Sequence, residues 1–242
     1  MAKRDISVYL PPGYFTGEGQ RFPVLYMQDG QNLFDPETSF AGVAWHADET
    51  AQELILKKKI QPLIIVGISN TGDRMDEYTP VRSRGRGGRA GEYGRFLIGE
   101  LKPFIDREYR TLPEREFTGV GGSSLGGLFA LYMGFTRPDV FGRIAAISPA
   151  AWWANGYILH EAAALRERLP LRIWLDMGRR EGRYFLAQTR QLQYILRSKG
   201  WRKNRKAVLA DFRYLEAARA RHDESSWGAR FDKVLKFLYP KI

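Results

Sequence analysis

Residues 117–130 read FTGVGGSSLGGLFA. An apolar run leads into a turn of small residues that contains serine, and an apolar run of helical character follows the turn. Of the two adjacent serines only Ser124 fits the pattern G-x-S-x-G, because Ser123 would need a glycine where Leu125 stands. The pattern predicts a sharp turn between a strand and a helix, with Ser124 projecting from it as a candidate nucleophile.

The small residues around Ser124 suit the chemistry of a nucleophilic serine. A serine hydroxyl is a weak nucleophile, so a base must reach it from one side and a substrate from the other. Gly122 and Gly126 carry no Cβ atom to obstruct the turn, and the helix that follows aims N–H groups at the same place. A flexible glycine–serine loop is the competing interpretation, but the apolar runs on both sides favour the strand–turn–helix.

Apolar runs alternate with helical patterns along the rest of the chain. Strands are predicted at residues 6–10, 22–27, 62–69, 142–148, 171–176 and 211–215. Helices are predicted at 45–58, 92–109, 185–196 and 226–238, and 70–91 is predicted to be a long irregular loop. This alternation indicates an α/β fold with a mostly parallel central sheet flanked by helices. The 242 residues show no internal repeat and no boundary, so one domain is predicted over residues 1–242.

The charge balance is strongly basic, with a formal net charge of +11. Two clusters stand out, Arg82–Arg89 and Arg202–Lys206. The first is one short run without repeats or interleaved aromatic residues, which favours a solvated loop over a nucleic-acid site. No nucleic-acid partner is therefore expected.

The absence of cysteine excludes disulfides and thiolate metal sites, and no metal or cofactor is predicted. The N-terminus has no apolar run of signal-peptide length, and no stretch approaches the roughly 18 apolar residues of a membrane span. These features predict a cytoplasmic protein without a membrane partner. A secreted protein whose signal peptide had been removed would have the same sequence.

Three histidines are candidates for the base that would activate Ser124. His222 follows the last predicted strand, where the chain order serine, acid, histidine puts the base. His46 precedes the serine in the chain, and His160 leads into a charged segment that favours a surface role. His222 is the predicted base.

The acid that would orient His222 is expected between the serine and the histidine. Asp176 ends a predicted strand, whereas Glu181 lies in the turn beyond it and is free to point across to the imidazole. Glu181 is therefore favoured and Asp176 is the alternative, with Asp223 a weaker third candidate.

Two backbone donors are expected to hold the oxyanion of the reaction. One is the N–H of Leu125, directly after the nucleophile, and the other is the N–H of Gln31 or Gly30 in the loop after the second strand.

Three tryptophans are candidate substrate-binding residues. Trp45, Trp152 and Trp153, with arginines of the 82–89 loop, would form an aromatic, cationic pocket for a phenolic or carboxylate-bearing ester. Burial of the same tryptophans in the core is an equal alternative.

Seven further segments, in order along the chain, support a family resemblance. They are VLYMQDGQNLFD (24–35), AWHADET (44–50), RMDEYTP (74–80), FIDREYRT (104–111), SPAAWW (148–153), LDMGRREG (175–182) and HDESSW (222–227). With GGSSLGG they resemble the esterase family that includes enterochelin esterases, feruloyl esterases and S-formylglutathione hydrolases. The resemblance implies an α/β-hydrolase fold and cofactor-free hydrolysis of a small-molecule carboxylic ester by Ser124, His222 and Glu181. Aspartate is the usual acid in such turns, so Glu181 departs from the pattern.

Two alternatives stay open at this point. The same residues would also serve transfer of the acyl group to an alcohol. A catalytically silent chain whose basic surface binds polyanions is the alternative from a different class, and steeply salt-dependent binding would mark it.

Overall fold

The computed structural model describes residues 2–17, 19–202 and 211–241. Of the basic cluster at 202–206, all but Arg202 lies outside the described residues. The strands are β1 (Ile6–Tyr9), β2 (Val24–Gln28), β3 (Ile64–Ile68), β4 (Arg82–Ser83), β5 (Arg86–Gly87), β6 (Thr118–Ser123), β7 (Arg143–Ile147), β8 (Arg172–Gly178) and β9 (Phe212–Ala217).

Seven of these strands form one sheet in the order β1-β3-β2-β6-β7-β8-β9. Strand β1 pairs antiparallel with β3, and every other pair in the sheet is parallel. The predicted mostly parallel α/β architecture is confirmed. Because parallel strands end at the same edge, the loops after β2, β6, β7 and β8 gather at the carboxyl edge of the sheet.

Helices cover both faces of the sheet. They are α1 (Ala47–Leu56), α2 (Arg74–Tyr78), α3 (Ala90–Phe96), α4 (Lys102–Glu108), α5 (Leu125–Thr136), α6 (Trp153–Ala164), α7 (Arg183–Ser198), α8 (Glu224–Gly228) and α9 (Phe231–Leu238). A π-helical turn, Leu97–Leu101, joins α3 to α4 without a break.

The core consists of two apolar layers, one on each face of the sheet. Successive strand residues point to opposite faces, so Val24 and Tyr26 join the layer under α3 and α5 to α7, whereas Leu25 and Met27 join the layer under α1 and α9. Helix α5 is apolar on all sides and ten of its twelve residues are buried. The residue at its N-terminus, Ser124, is consequently held on a rigid element.

Residues 70–91 are not the irregular loop predicted from the sequence. They contain α2, the β4–β5 hairpin and the start of α3. The hairpin turns through Arg84 and Gly85, both with positive φ, and the Asp76 carboxylate accepts the Gly87 N–H. Short-range turns of this kind leave no apolar periodicity, which explains why the pattern indicated a loop.

Two predicted helices differ in their course. The π-helical turn rotates the face of the 90–108 helix, so Phe104, expected on the buried side, is 45% exposed. The predicted final helix is two helices, α8 and α9, with a break at Ala229 and Arg230. The break lets the Arg230 side chain turn inward, where it is 3% exposed.

Candidate active site

Ser124 lies at the sharp turn between β6 and α5. Its backbone has φ 56° and ψ −118°, a strained conformation for a residue with a side chain. A Cβ atom on Gly122 would lie 2.9 Å from the backbone of Gly126, and one on Gly126 would lie 2.9 Å from the Cβ of Gln28. Glycine is therefore required at both positions if the turn is to close this tightly.

The structure brings Ser124, His222 and Glu181 together from three separate parts of the chain. The Nε2 atom of His222 lies 3.0 Å from the Ser124 Oγ, and its Nδ1 atom lies 2.6 Å from Glu181 Oε2. The imidazole packs against Trp227 with the two ring planes nearly perpendicular and the ring centroids 4.9 Å apart. These distances are the ones that a base needs to bridge a nucleophile and an orienting carboxylate.

The second carboxylate oxygen of Glu181 is also held. Oε1 accepts hydrogen bonds from the Ser148 hydroxyl at 2.6 Å and from the Gly178 N–H at 2.7 Å. The Ser148 oxygen in turn accepts a bond from Arg230 at 2.7 Å. Glu181 is buried and both of its oxygens have donors, so its orientation toward the imidazole is well defined.

Asp176 and Asp223, the other two candidate acids, make different contacts. Strand β8 continues to Gly178, so Asp176 lies inside the strand and not at its end, and it is fully buried. Asp176 accepts bonds from Trp174 Nε1 at 2.7 Å and from Arg230 at 2.9 Å. Asp223 caps α8 by accepting the Ser226 N–H at 2.7 Å. Neither carboxylate bonds to His222, because each is oriented by other donors.

The candidate oxyanion donors lie beside the serine. Leu125 opens α5, and Gln31 lies in a 3₁₀ turn after β2 and lines the same cavity as Ser124. Among the described residues, neither N–H has a hydrogen-bond acceptor. Gly30 instead packs against β3, where a Cβ atom would lie 2.4 Å from the Gly67 backbone. Of the two candidates in this loop, Gln31 is the one that faces the cavity.

The cavity at Ser124 has a volume of about 460 Å³ and contains charged residues that sequence reasoning missed. Arg74 donates two bonds to Asp29, at 2.6 and 2.7 Å, and Asn70 donates a third at 2.7 Å. Arg74 belongs to RMDEYTP, one of the segments that resemble the esterase family. That resemblance was the only feature of the sequence that pointed to Arg74 as a site residue. The bidentate pair fixes the loop that presents Gln31.

Glu224, two residues after His222, lines the same cavity. It accepts a bond from Asn32 Nδ2 at 3.0 Å. Burial raises the pKa of Glu224, and the nearby carboxylates of Asp29 and Asp223 raise it further. Glu224 follows the predicted base by two residues, and this short separation could have predicted its place in the cavity.

The three candidate tryptophans separate in the structure. Trp45 is 4% exposed and packs on Trp227 and Phe231, so its predicted role as a pocket residue is wrong and the core alternative holds. Trp45 lies just before α1, and because α1 packs against α9, the indole ring is buried between them. Trp152 and Trp153 line a second cavity of about 440 Å³.

The second cavity combines these tryptophans with arginines of the 82–89 loop. Arg84 and Arg86 line it, together with Tyr184. Met75 lines this second cavity, and the preceding residue, Arg74, lines the Ser124 cavity. The structure thus assembles the aromatic and cationic groups expected of a pocket, without Trp45.

Residues 2–17, 19–202 and 211–241 contain neither a metal-binding cluster nor a membrane-spanning helix. No group of three or more His, Asp or Glu side chains there is placed to hold a metal ion. No helix in these ranges combines the length and the apolar character needed to cross a membrane.

The mostly parallel sheet, with Ser124 on the turn after β6, defines the α/β-hydrolase fold. The sequence model of the family described as Putative esterase matches residues 2–238, and the chain belongs to that family. The family predicted from the motifs is confirmed, and with it the activity class, carboxylic ester hydrolysis.

Individual relatives are similar over much of the chain. The uncharacterised protein YbbA of Bacillus subtilis is 26% identical over 252 residues, which cover 98% of this chain and 93% of that protein. The ferri-bacillibactin esterase BesA of Bacillus subtilis is 29% identical over 184 residues, covering 66% of this chain and 60% of that enzyme. The solved structure of a ferulic acid esterase superposes with a TM-score of 0.74 at 20% identity, covering 98% of this chain and 93% of that one.

Proposed function

We propose that the protein hydrolyses carboxylic esters with Ser124 as nucleophile, His222 as general base and Glu181 as the orienting acid. The observation that carries the proposal is the continuous chain of hydrogen bonds from Glu181 Oε2 through the imidazole to the Ser124 Oγ. A base held by a buried carboxylate on one nitrogen presents the other nitrogen to the serine in the acceptor tautomer.

The proposed reaction has two halves. As the Ser124 oxygen attacks the ester carbonyl, His222 takes the hydroxyl proton, and the N–H groups of Leu125 and Gln31 stabilise the oxyanion. Collapse of this intermediate breaks the bond to the alcohol oxygen, which receives the proton from His222, and an acyl-enzyme remains. Water then attacks the acyl-enzyme by the same route and releases the acid and the free serine.

The substrate we propose is a small ester whose acyl or alcohol part carries an aromatic ring or an anionic group. The second cavity supports this assignment, because it sets Trp152 beside the guanidinium groups of Arg84 and Arg86. Trp152 is 38% exposed, and neither Arg84 nor Arg86 has a carboxylate partner among the described residues. Aromatic stacking and charge pairing are complementary to such a ligand. The names of two relatives, a ferri-bacillibactin esterase and a ferulic acid esterase, agree with this choice.

We also propose that residues 1–242 act as a single esterase domain. The one seven-stranded sheet, covered on both faces by helices from the whole length of the described chain, supports this assignment.

The proposal is tested by hydrolysis of p-nitrophenyl butyrate together with active-site labelling by a fluorophosphonate. We expect loss of activity in step with incorporation of one phosphonyl group per chain, because only a serine activated by a base attacks phosphorus at neutral pH. Peptide mass spectrometry should place the label on Ser124. Absence of turnover by the folded protein, or a label on another residue, would contradict the proposed nucleophile.

We expect the double variant Arg84→Ala/Arg86→Ala to discriminate against anionic esters. Its kcat/KM for the p-nitrophenyl hemiester of succinate should fall roughly tenfold, because two partly solvated charge contacts are lost. The neutral p-nitrophenyl butyrate should be hydrolysed as by the wild type. Arg82→Ala is the matched control, since Arg82 carries the same charge in the same loop but does not line the cavity. Equal losses on both substrates would show that the loop affects the fold and not recognition.

A further inference from the structure

A separate basic cavity lies at the edge of the sheet opposite Ser124. It has a volume of about 260 Å³ and is formed where β7, β8 and β9 begin. Arg143 and Arg172 are the first residues of β7 and β8, and Asp211 directly precedes β9. Strand β6 alone separates the two edges by about 20 Å, at roughly 3.3 Å per residue, so this cavity is remote from the candidate active site.

Two of the four arginines in the cavity are balanced by carboxylates. Arg115 bonds to Glu116 at 3.1 Å, and Arg168 pairs with Asp211. Arg115 also donates to the carbonyl of Pro138 at 2.6 Å, which holds its guanidinium at the cavity wall.

The other two arginines have no carboxylate partner among the described residues. Arg143 donates to the carbonyls of Glu116 and Leu238 and lies over the Tyr239 ring, 4.6 Å from its centroid. Arg172 lies over the Phe237 ring at 4.9 Å, and its buried Nε–H has no acceptor within the described part of the chain. Ring faces and carbonyls orient these two guanidinium groups but do not neutralise them.

The cavity therefore carries an excess of two positive charges in a partly desolvated position. Burial, and to a smaller extent the charge of neighbouring Arg143, lowers the pKa of Arg172 to about 10. Burial lowers the pKa of Arg143 as well. Partly buried charges of one sign are unfavourable unless a counter-charge approaches them.

We propose that this cavity is a binding site for a phosphate dianion, either free or as the phosphoryl group of a small molecule. A dianion matches the excess of two charges, and guanidinium groups bind phosphate oxygens with paired, charge-assisted hydrogen bonds. The volume accommodates a phosphoryl group with a small substituent. The site is independent of the ester chemistry, because its residues lie at the opposite edge of the sheet.

The test is calorimetric titration of the full chain with inorganic phosphate and, separately, with glycerol 3-phosphate at constant ionic strength in sodium chloride. We expect saturable binding with one site per chain. Arg172→Gln should weaken it at least about tenfold, because a charge-assisted pair is lost. The tighter of the two probes identifies whether the free anion or a phosphomonoester is the preferred ligand.

Two further variants keep the result interpretable. Arg168→Gln, at a more exposed cavity position, should also weaken binding, because it leaves the Asp211 carboxylate unpaired beside the anion. Arg95→Gln removes the same charge from an exposed position on α3 and should bind phosphate as the wild type does. Ester hydrolysis should be unchanged in all three variants, which also reports that they are folded.

Three outcomes would overturn the proposal. One is an absence of saturable binding of either probe. The second is equal weakening in Arg95→Gln and Arg172→Gln, which would indicate unspecific screening of a basic surface. The third is binding only of a single-stranded oligonucleotide with a steep dependence on salt, which would assign the basic charge to a polyanion surface.

Discussion

Replacing Ser124 by alanine is expected to lower kcat for p-nitrophenyl butyrate by about 10⁴-fold or more, because the residues of a catalytic triad act as a unit. The Ser124 hydroxyl donates to the His222 imidazole nitrogen at 3.0 Å, and alanine leaves His222 without a proton to accept. The substitution removes one oxygen atom that faces the cavity from a partly exposed residue, so the melting temperature should stay close to that of the wild type. Initial rates and thermal unfolding of both proteins provide the measurement.

Ser123→Ala is the matched control for this prediction. Ser123 ends β6, is 4% exposed and has no hydrogen bond to His222 among the described residues. We expect it to retain most of the activity. A larger loss in Ser123→Ala than in Ser124→Ala would contradict the reading frame of the G-x-S-x-G motif and the proposed nucleophile with it.

Replacing Glu181 by glutamine is expected to lower kcat by roughly 10⁴-fold while leaving the fold intact, because an amide no longer fixes the imidazole in the reactive tautomer. The Glu181 Oε2 to His222 Nδ1 distance of 2.6 Å is the contact on which this expectation rests. Glutamine can retain one oxygen to accept bonds from the Ser148 hydroxyl and the Gly178 N–H, so the buried end of the side chain keeps both donors. Steady-state kinetics with urea unfolding of the same samples separates catalysis from stability.

Asp176→Asn is the control that distinguishes the two candidate acids. Asp176 pairs with Arg230 at 2.9 Å, and both side chains are buried. Loss of the carboxylate leaves the Arg230 charge without this partner, so the free energy of unfolding should fall by about 3–5 kcal/mol. Its kcat should stay much closer to the wild-type value than that of Glu181→Gln. The reverse pattern, with the larger kinetic loss in Asp176→Asn, would move the role of the acid to Asp176.

Glu181→Asp adds a second measure of the same site. The shorter side chain withdraws the carboxylate by one methylene from either His222 or the Ser148 and Gly178 donors. We expect an intermediate loss of kcat, because the charge is retained but the 2.6 Å contact is not. Full activity would mean that the turn adjusts to the aspartate that is usual in similar proteins.

Parts of the fold and the candidate site follow from local sequence patterns. The turn at Ser124 was predictable because its glycines, the flanking apolar runs and the strained backbone all lie within a few residues of one another. The strand segments were predictable because buried parallel strands are continuous apolar runs. His222 and Glu181 were placed by chain order, since each follows a strand and parallel strands bring such loops to one edge. The family and its ester chemistry followed from the order of the motifs.

Other features were decided only by contacts between distant segments. Local patterns cannot show that β1 pairs antiparallel with β3 at the edge, or that Asp29 meets Arg74 forty-five residues away. Tryptophan is as common in binding pockets as in cores, so the residue type alone did not decide the role of Trp45. The packing of α1 on α9 buries it against Trp227.

The basic cavity is also formed by contacts between distant segments. Its arginines are scattered from residue 115 to residue 172 and meet only where neighbouring strands begin. Periodicity and turn chemistry act over a few residues, so the sequence by itself determined the elements and the Ser124 turn. Burial, charge pairing and cavity shape depend on which elements become neighbours. Only the tertiary structure therefore decided which side chains share the site.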